Sequence, residues 1–441
     1  LLIATVCLVA TVVFPLSANA AFSISGFQMA PSNLQAAGHP DLTLKYTRNG
    51  SNSEDLKNVA IDYPAGLLFN PEAATTKCTD SQFNSDACPS ASYVGSISSK
   101  VVKESWWSKT YTVSGSVYVL EASGTDHAVL GYVMRPTFSP KVYVKQTLNI
   151  RTDSDGGQKT TTTNIPRTYS WWFPSLFGTY NIAIKDVTVN FKARANTSQT
   201  GPYFIWNPSD CVAKTAGITA ESYQGVISSQ YYTFTPTGCA SVPFTPDIDL
   251  TVDNPVAGQS TTGSISVEFP FSDAPIQQST VKSVEALAPL GTQINFAAVS
   301  GSEVGQGCSE VQLQADQCPA ISQVGNAVAE VPFYPPNMTG EVYIMSPIGS
   351  TLYFALVVRG PRGMKSIIRS YAGVQGGGST QRVYNNWDII PNFPWKKVTL
   401  NLTRPIISNP TSCPQTAQGK GTFYAYSGAV AVVEDASTAY D

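Results

Sequence analysis

Apolar and polar residues alternate along much of the chain, the period-two pattern of a strand with one buried face. The alternation is plain in Phe22-Ser-Ile-Ser-Gly-Phe-Gln-Met29 and again in Leu42-Thr-Leu-Lys-Tyr46. These two pieces are expected to pair as edge strands. Other stretches are apolar almost throughout. Thr351-Leu-Tyr-Phe-Ala-Leu-Val-Val-Arg359 is short and rich in β-branched and aromatic residues, as suits a strand covered on both faces. Lys57-Asn-Val-Ala-Ile-Asp-Tyr63 runs into Pro64-Ala-Gly66, where proline presets one turn dihedral and glycine supplies the positive one. Amphipathic stretches of helical period are scarce. The fold class expected is all-β, with tandem β-sandwich-like modules pinned by short-range disulfides.

The word tandem rests on internal repetition. Cys78 to Gly95 recurs as Cys308 to Gly325: each copy holds nine residues between its cysteines, places Pro after the second, and closes on Ser-x-Val-Gly. Lys57 to Asn70, with its Pro-x-Gly turn, recurs as Lys282 to Asn295. Gly115-Ser-Val-Tyr118 is matched by Gly340-Glu-Val-Tyr343, and Val187-Thr-Val-Asn190 by Val398-Thr-Leu-Asn401. Asn207-Pro-Ser-Asp-Cys211 is matched by Asn409-Pro-Thr-Ser-Cys413, and Ser222-Tyr-Gln-Gly225 by Ala425-Tyr-Ser-Gly428. Landmarks in one order, at offsets between 202 and 230, define a duplicated unit. The first repeat is assigned to residues 21–243 and the second to residues 244–441. The join, Ala240-Ser-Val-Pro-Phe-Thr-Pro246, is short and proline-rich, so it is expected to be stiff.

Residues 1–20 read as a secretory signal peptide that is incomplete at its N-terminus. Leu1 to Phe14 are apolar apart from Thr5, Cys7 and Thr11, and Ala18-Asn-Ala20 has the small-x-small pattern of a cleavage site. The run is too short to span a bilayer and no later one is longer, so no transmembrane segment is expected in the mature chain. Seven of the eight cysteines lie beyond it, and in an exported chain disulfides are the default. The repeat assigns Cys78 to Cys88, Cys308 to Cys318 and Cys211 to Cys239. Cys413 is left unpaired, since its partner's place would fall just beyond Asp441.

Charged residues make up 13% of the chain and the net charge is −3, which gives no electrostatic footprint for nucleic acid or an anionic membrane. His39 and His127, the two histidines, stand in no zinc or acid–base motif. His39 is expected to bond its own strand or Asp41, and His127 to be a turn residue. Asp153-Ser-Asp155-Gly-Gly157 reads as a hairpin turn ahead of a calcium loop, because a downstream acidic ligand is missing. Asp247, Asp249 and Asp253 put carboxylates beside the connector, where calcium is conceivable. No catalytic residue, metal site or cofactor is assigned, and enzyme activity is unsupported.

Where the repeats differ, the first carries two insertions. One surrounds Trp106 and Trp107; the other holds Trp171, Trp172, Phe173 and Phe177. Insertions relative to a repeat partner map to loops, and loops with so many rings either bury them against each other or present them to a partner. Capping of an open sandwich end is one reading. Binding of glycan or protein by exposed rings is a second, and a membrane-surface role is a third.

Ala37-Gly-His39-Pro-Asp41, Pro64-x-Gly66 followed by Asn70-Pro, Cys78 to Cys88-Pro-x-x-Ser-x-Val-Gly95, and Asn409-Pro-Thr-Ser-Cys413 together resemble a group of secreted, repeat-bearing, largely uncharacterised cell-surface proteins of actinobacteria. The resemblance implies export, β-rich modules and a cell-envelope setting, and it brings no catalytic residues to map. The expected role is non-enzymatic: a secreted or cell-surface structural or adhesion protein whose partner is cell-wall glycan or another surface protein. The alternative is a glycan-binding or glycan-processing envelope protein that uses the Trp loops.

Overall fold

The computed structural model describes residues 22–50, 54–103, 109–137, 140–151, 155–170, 179–296, 298, 307–333, 337–376, 381–411 and 415–440. The first module contains β1 (Ser23–Pro31), β2 (Leu42–Asn49), β3 (Leu56–Asp62), β4 (Leu68–Phe69), β5 (Tyr93–Lys103), β6 (Lys109–Leu120) and β7 (Ala128–Arg135). It continues with β8 (Val142–Ile150), β9 (Gln158–Thr162), β10 (Thr168–Ser170), β11 (Thr179–Phe191), β12 (Ile205–Trp206), β13 (Lys214–Ser222) and β14 (Ile227–Phe234). The second contains β15 (Asp247–Val252), β16 (Ser260–Glu268), β17 (Val281–Leu287), β18 (Gln293–Ile294), β19 (Gln323–Glu330) and β20 (Met338–Ile344). After these come β21 (Leu352–Arg359), β22 (Lys365–Gln375), β23 (Arg382–Trp387), β24 (Lys397–Ser408), β25 (Gln415–Ala425) and β26 (Val430–Tyr440).

The sheet of the first module runs β1-β2-β11-β5-β6-β7-β8-β9-β3-β13-β14, with β10 on β11. The second runs β15-β16-β24-β19-β20-β21-β22-β23-β17-β25-β26, with β18 on β24. The repeats share one strand permutation, so the duplication seen in the landmarks is a duplication of topology. A sheet this wide curls under its own twist. In the first module β1 comes to lie against β14, where Ile24 N donates to Ser228 Oγ at 3.0 Å. In the second, β15 lies against β26 and Leu250 N donates to Asp435 Oδ2 at 2.7 Å. Each module is therefore built on one wide antiparallel sheet folded over its own core, with β4 and β12 forming a separate two-stranded sheet in the first. The expected pairing of β1 with β2 is present, but β2 is not an edge strand, because β11 pairs along its other side.

Inner faces supply the cores. In β2, Leu42, Leu44 and Tyr46 are buried and join Val59 and Ile61 of β3 and Val187 and Val189 of β11. In the second module Val342, Leu352, Leu356 and Val358 belong to the corresponding core. β7 and β21 are apolar on both faces for a specific reason: their outer faces lie under the segments closed by the cysteines. Phe83, Cys78 and Leu120 cover Val129 and Val133, while Leu313, Cys308 and Met345 cover Ala355 and Val357.

Those covering segments hold helices that strand periodicity does not announce: α1 (Asp80–Asn84) and α2 (Glu310–Gln314). Thr79 Oγ1 accepts from Gln82 N at 3.2 Å, and Gln82 Oε1 accepts from Thr79 N at 3.0 Å. Ser309 and Gln312 repeat this reciprocal cap at 3.3 and 2.9 Å, so each short helix has satisfied N-terminal donors. Disulfides then fix the segments, Cys78 to Cys88 and Cys308 to Cys318, with Cα separations of 5.1 and 5.0 Å. A third bridge joins Cys211 to Cys239.

Candidate functional site

Trp106, Trp107, Trp171, Trp172, Phe173, Phe177 and Cys413 lie outside the described residues. Their strand flanks are described. Lys103 pairs with Lys109 across β5 and β6, and Ser170 pairs with Thr179 across β10 and β11. Lys103 also pairs with Ile182 of β11. Both insertions thus leave the same end of the sheet from neighbouring hairpins, a juxtaposition that a linear reading does not contain.

A second candidate region is the junction between the modules. Asn207 anchors it by donating from Nδ2 to Asn33 O at 3.1 Å and Gln35 O at 3.0 Å. The same clamp recurs in the second module, where Asn409 Nδ2 donates to Asn254 O and Val256 O at 2.6 and 2.9 Å. This is the structural role of the repeated Asn-Pro motif. The clamped loop of the first module presents His39 to the second. His39 Nδ1 lies 2.8 Å from Ile205 O and Nε2 lies 3.2 Å from Ala274 O. Its ring stacks on Tyr203 at 3.7 Å, and Arg194 covers the opposite side of Tyr203.

His39 therefore bonds neither its own strand nor Asp41, contrary to expectation. Asp41 pairs with Lys192 at 2.9 Å and accepts from Ala193 N. Burial, reinforced by the positive field of Arg194, lowers the His39 pKa from 6.5 to about 4 against the opposing pull of the two carbonyls. The ring is neutral near pH 7. The neutral ring has one N–H for two carbonyls, Ile205 O beside Nδ1 and Ala274 O beside Nε2, and Gln277 Nε2 lies 3.3 Å from Nε2.

Buried polar groups complete the junction. Lys214 Nζ donates to Asp210 Oδ2 at 2.6 Å, with side chains only 10% and 5% exposed. The same oxygen accepts from Asn392 Nδ2 of the second module at 3.2 Å. Asn392 Oδ1 accepts from Thr280 Oγ1 at 2.6 Å, and Ser209 Oγ lies 2.9 Å from that hydroxyl. Around this network Trp206 stands edge-on to Phe333, with ring centroids 4.7 Å apart. Further out, Arg362 donates to Asp126 O and Ala122 O at 2.6 and 3.0 Å. The connector is tied down as well: Val242 packs with Ala36 and Ala37, and Ser279 N donates to Pro243 O at 2.9 Å.

Beside the junction lies a cleft of about 320 Å³ bounded by Ile150 and Arg151 of the first module and Lys365, Arg369 and Trp395 of the second. Its cations are paired. Arg151 meets Asp155 at 2.8 Å, Lys365 meets Asp316 at 2.8 Å, and Arg369 meets Glu310. Asp155 also accepts from Gly157 N at 2.8 Å, which makes it a turn residue of the β8–β9 hairpin. His127 sits just before β7, where Nδ1 accepts from Ile150 N at 3.0 Å and burial lowers its pKa. Asp247 and Asp249 face outward on β15, while Asp253 accepts from Thr262 Oγ1. Among the described residues, no group of three or more His, Cys, Asp or Glu side chains is placed to hold a metal ion. No described helix is long and apolar enough to cross a membrane.

The scan against protein-family models found no match, and neither did the search of curated proteins. Among solved structures, the chain aligns with the C-terminal domain of the Streptococcus agalactiae AgI/II polypeptide BspA at 8% identity and a TM-score of 0.19, covering 94% of this chain and 98% of that one. It aligns with a tetra-tandem repeat from the extending region of a large adhesion protein at 11% identity and a TM-score of 0.14, covering 96% and 100%. Neither score supports an inference about this chain.

Proposed function

We propose that the protein is a secreted, cell-envelope component of structural or adhesive kind, without chemistry of its own, acting on the surface of an actinobacterium. The observation that carries this reading is the buried junction of Asp210, Lys214, Asn392 and Thr280. Modules joined by buried polar contacts and a tied-down connector hold one relative orientation, whereas modules on loose linkers move independently. A fixed orientation suits a spacer or a presenting surface. Cell-wall glycan or another surface protein is the partner in this reading. The purified chain is expected to bind cell-wall polysaccharide or intact cells and to leave the polysaccharide uncleaved. Release of soluble fragments from that polysaccharide would sink the non-enzymatic reading.

A second reading, glycan recognition by the Trp-bearing loops, is favoured by one observation: the strand flanks of both insertions share one sheet end. Stacking of rings on sugar faces would then draw on two loops at once. Retention on immobilised cell-wall polysaccharide tests it. Trp106→Ala with Trp107→Ala, and Trp171→Ala with Trp172→Ala, should each weaken retention about tenfold. Unchanged retention in both would end this reading.

A further inference from the structure

The modules share a strand order but not a core. In the first module the space inside the folded sheet is nearly filled, leaving a cavity of about 70 Å³. In the second the corresponding space is an apolar cavity of about 280 Å³. The strand registers show why. Tyr46 pairs with Val187, and its counterpart Val267 pairs with Val398. Tyr132 pairs with Val144, and its counterpart Leu356 pairs with Ile368. Ile61 pairs with Thr160, and its counterpart Ala286 pairs with Asn385. One residue beyond β3 stands Tyr63; one residue beyond β17 stands Ala288.

Three buried phenol rings and an isoleucine are thus replaced by smaller aliphatic side chains. Trp387, which takes the place of Thr162 opposite Val284, runs the other way and becomes part of the cavity wall. The first module also ties its rings in place, with Tyr132 OH donating to Gln146 Oε1 at 2.6 Å. The second has Ser370 at the position of Gln146, and its hydroxyl accepts from Asn385 Nδ2 at 3.3 Å instead of holding a ring. Small side chains at four of these facing positions, only partly offset by Trp387, are the pattern of a built lumen, since ordinary cores are packed to crystal-like density.

We propose that the second module takes up a fatty acid, with its aliphatic chain inside this lumen and its carboxylate at the rim beside Lys420. The lining is aliphatic and aromatic with few polar groups, so a sugar would lose its hydrogen bonds on entry. A dry cavity of roughly 150 Å³ already holds a benzene ring, and this one is almost twice that size. Thr251, which is exposed, and Lys420 belong to the lining, so the lumen reaches the surface there. Lys420 faces Glu434 at only 4.0 Å, a loose pairing that leaves its ammonium available to a carboxylate. Thr292 adds a buried hydroxyl with no hydrogen-bond partner among the described residues.

The test uses the full chain and a series of saturated fatty acids from hexanoate to palmitate, read by titration calorimetry. Each added methylene should tighten binding roughly fourfold until the lumen is full, after which affinity levels off. Val267→Tyr with Ala288→Tyr, which restores the first module's rings, should abolish uptake. Ala286→Ile, a milder filling, should weaken it at least tenfold. Lys420→Ala should weaken decanoate several-fold and leave decanol unchanged. Dibromostearate should quench tryptophan fluorescence in the wild type, and most of that quenching should vanish in Trp387→Phe with Trp395→Phe. No saturable binding by the wild-type chain overturns the proposal, as does quenching that survives removal of both wall tryptophans. Binding that is untouched in folded Ala286→Ile protein overturns it too.

Discussion

Asp210 in the first module and Asn392 in the second are joined by a hydrogen bond of 3.2 Å to the same carboxylate oxygen that Lys214 holds at 2.6 Å. Both Asp210 and Asn392 are buried. Asp210 therefore neutralises a buried ammonium within its own module and forms a contact with the next. Asp210→Ala would leave Lys214 uncompensated and is expected to cost about 3–5 kcal/mol. Adding Lys214→Met should recover much of that loss, because the stranded charge goes with it. Equilibrium denaturation of the single and double variants measures both. Asn392→Ala, which leaves the ion pair intact, should loosen the junction and broaden the distance distribution in small-angle scattering.

A pH dependence follows from His39. Its folded-state pKa is about 4 against an ordinary value of 6.5. Above pH 6.5 the ring is neutral in both folded and unfolded chains, and its contribution is complete. As pH falls from 6.5 towards 4, the unfolded chain takes up a proton that the folded chain refuses, so stability declines across that window. The loss attributable to His39 is about 3 kcal/mol at most. Urea melts at pH 7.5, 6, 5 and 4 should show this decline. His39→Gln should flatten part of it, leaving a remainder from His127, whose pKa burial also lowers. Equal slopes in wild type and His39→Gln would show that the junction does not hold the ring neutral.

The repeated asparagine clamp makes paired predictions. Asn207→Ala removes both donors from Asn33 O and Gln35 O, and Asn409→Ala removes both from Asn254 O and Val256 O. Each should cost about 1–3 kcal/mol, two part-buried hydrogen bonds at about 0.5–1.5 kcal/mol apiece. Asn→Asp at either site should be worse than alanine, since a carboxylate has no hydrogen to donate and would face two carbonyl oxygens. Thermal melts of the four variants test the ranking. Asn207→Ala should in addition weaken the junction, because its loop carries His39, whereas Asn409→Ala should not.

Much of the architecture is written in local patterns. Period-two alternation and the repeated Pro-x-Gly turns mark strands and their ends, and Gly66 and Gly291 do adopt φ of +88° and +84°. The cysteine spacing marks the three bridges that the structure joins. Sheet order is another matter. β11 lies between β2 and β5, a choice made by twist and closure of the whole sheet, and no short stretch encodes it. The helices α1 and α2 are too short for periodicity to reveal. Their one local sign is the spacing Thr79-x-x-Gln82 and Ser309-x-x-Gln312. The partners of His39 are not legible locally, because Ile205 O and Ala274 O lie 166 and 235 residues away in sequence. The lumen is hidden for a different reason. Tyr46 to Val267 and Ile61 to Ala286 keep the same alternation, so the pattern that predicts a strand is blind to the volume lost.

One exchange between the repeats is compensated, and it supplies a sharper test of how each helix is seated. In the first module Phe83 of α1 lies over Gly131 of β7, so closely that a Cβ on Gly131 would sit 2.5 Å from the ring's Cε2 atom. At the matching places the second module has Leu313 and Ala355, both buried. A larger side chain from the helix is matched by a smaller one on the strand, and the reverse. Gly131→Ala alone should destabilise by about 1–3 kcal/mol through overpacking. Phe83→Leu alone should cost a similar amount through the void it leaves. The double variant recreates the second module's pair and should be more stable than the sum of the two losses allows, with a coupling of about 1 kcal/mol or more. Denaturant unfolding of the three variants against wild type measures this directly. Additive losses would mean that ring and glycine do not share one space, and that the cysteine-closed segment is held by its bridge alone.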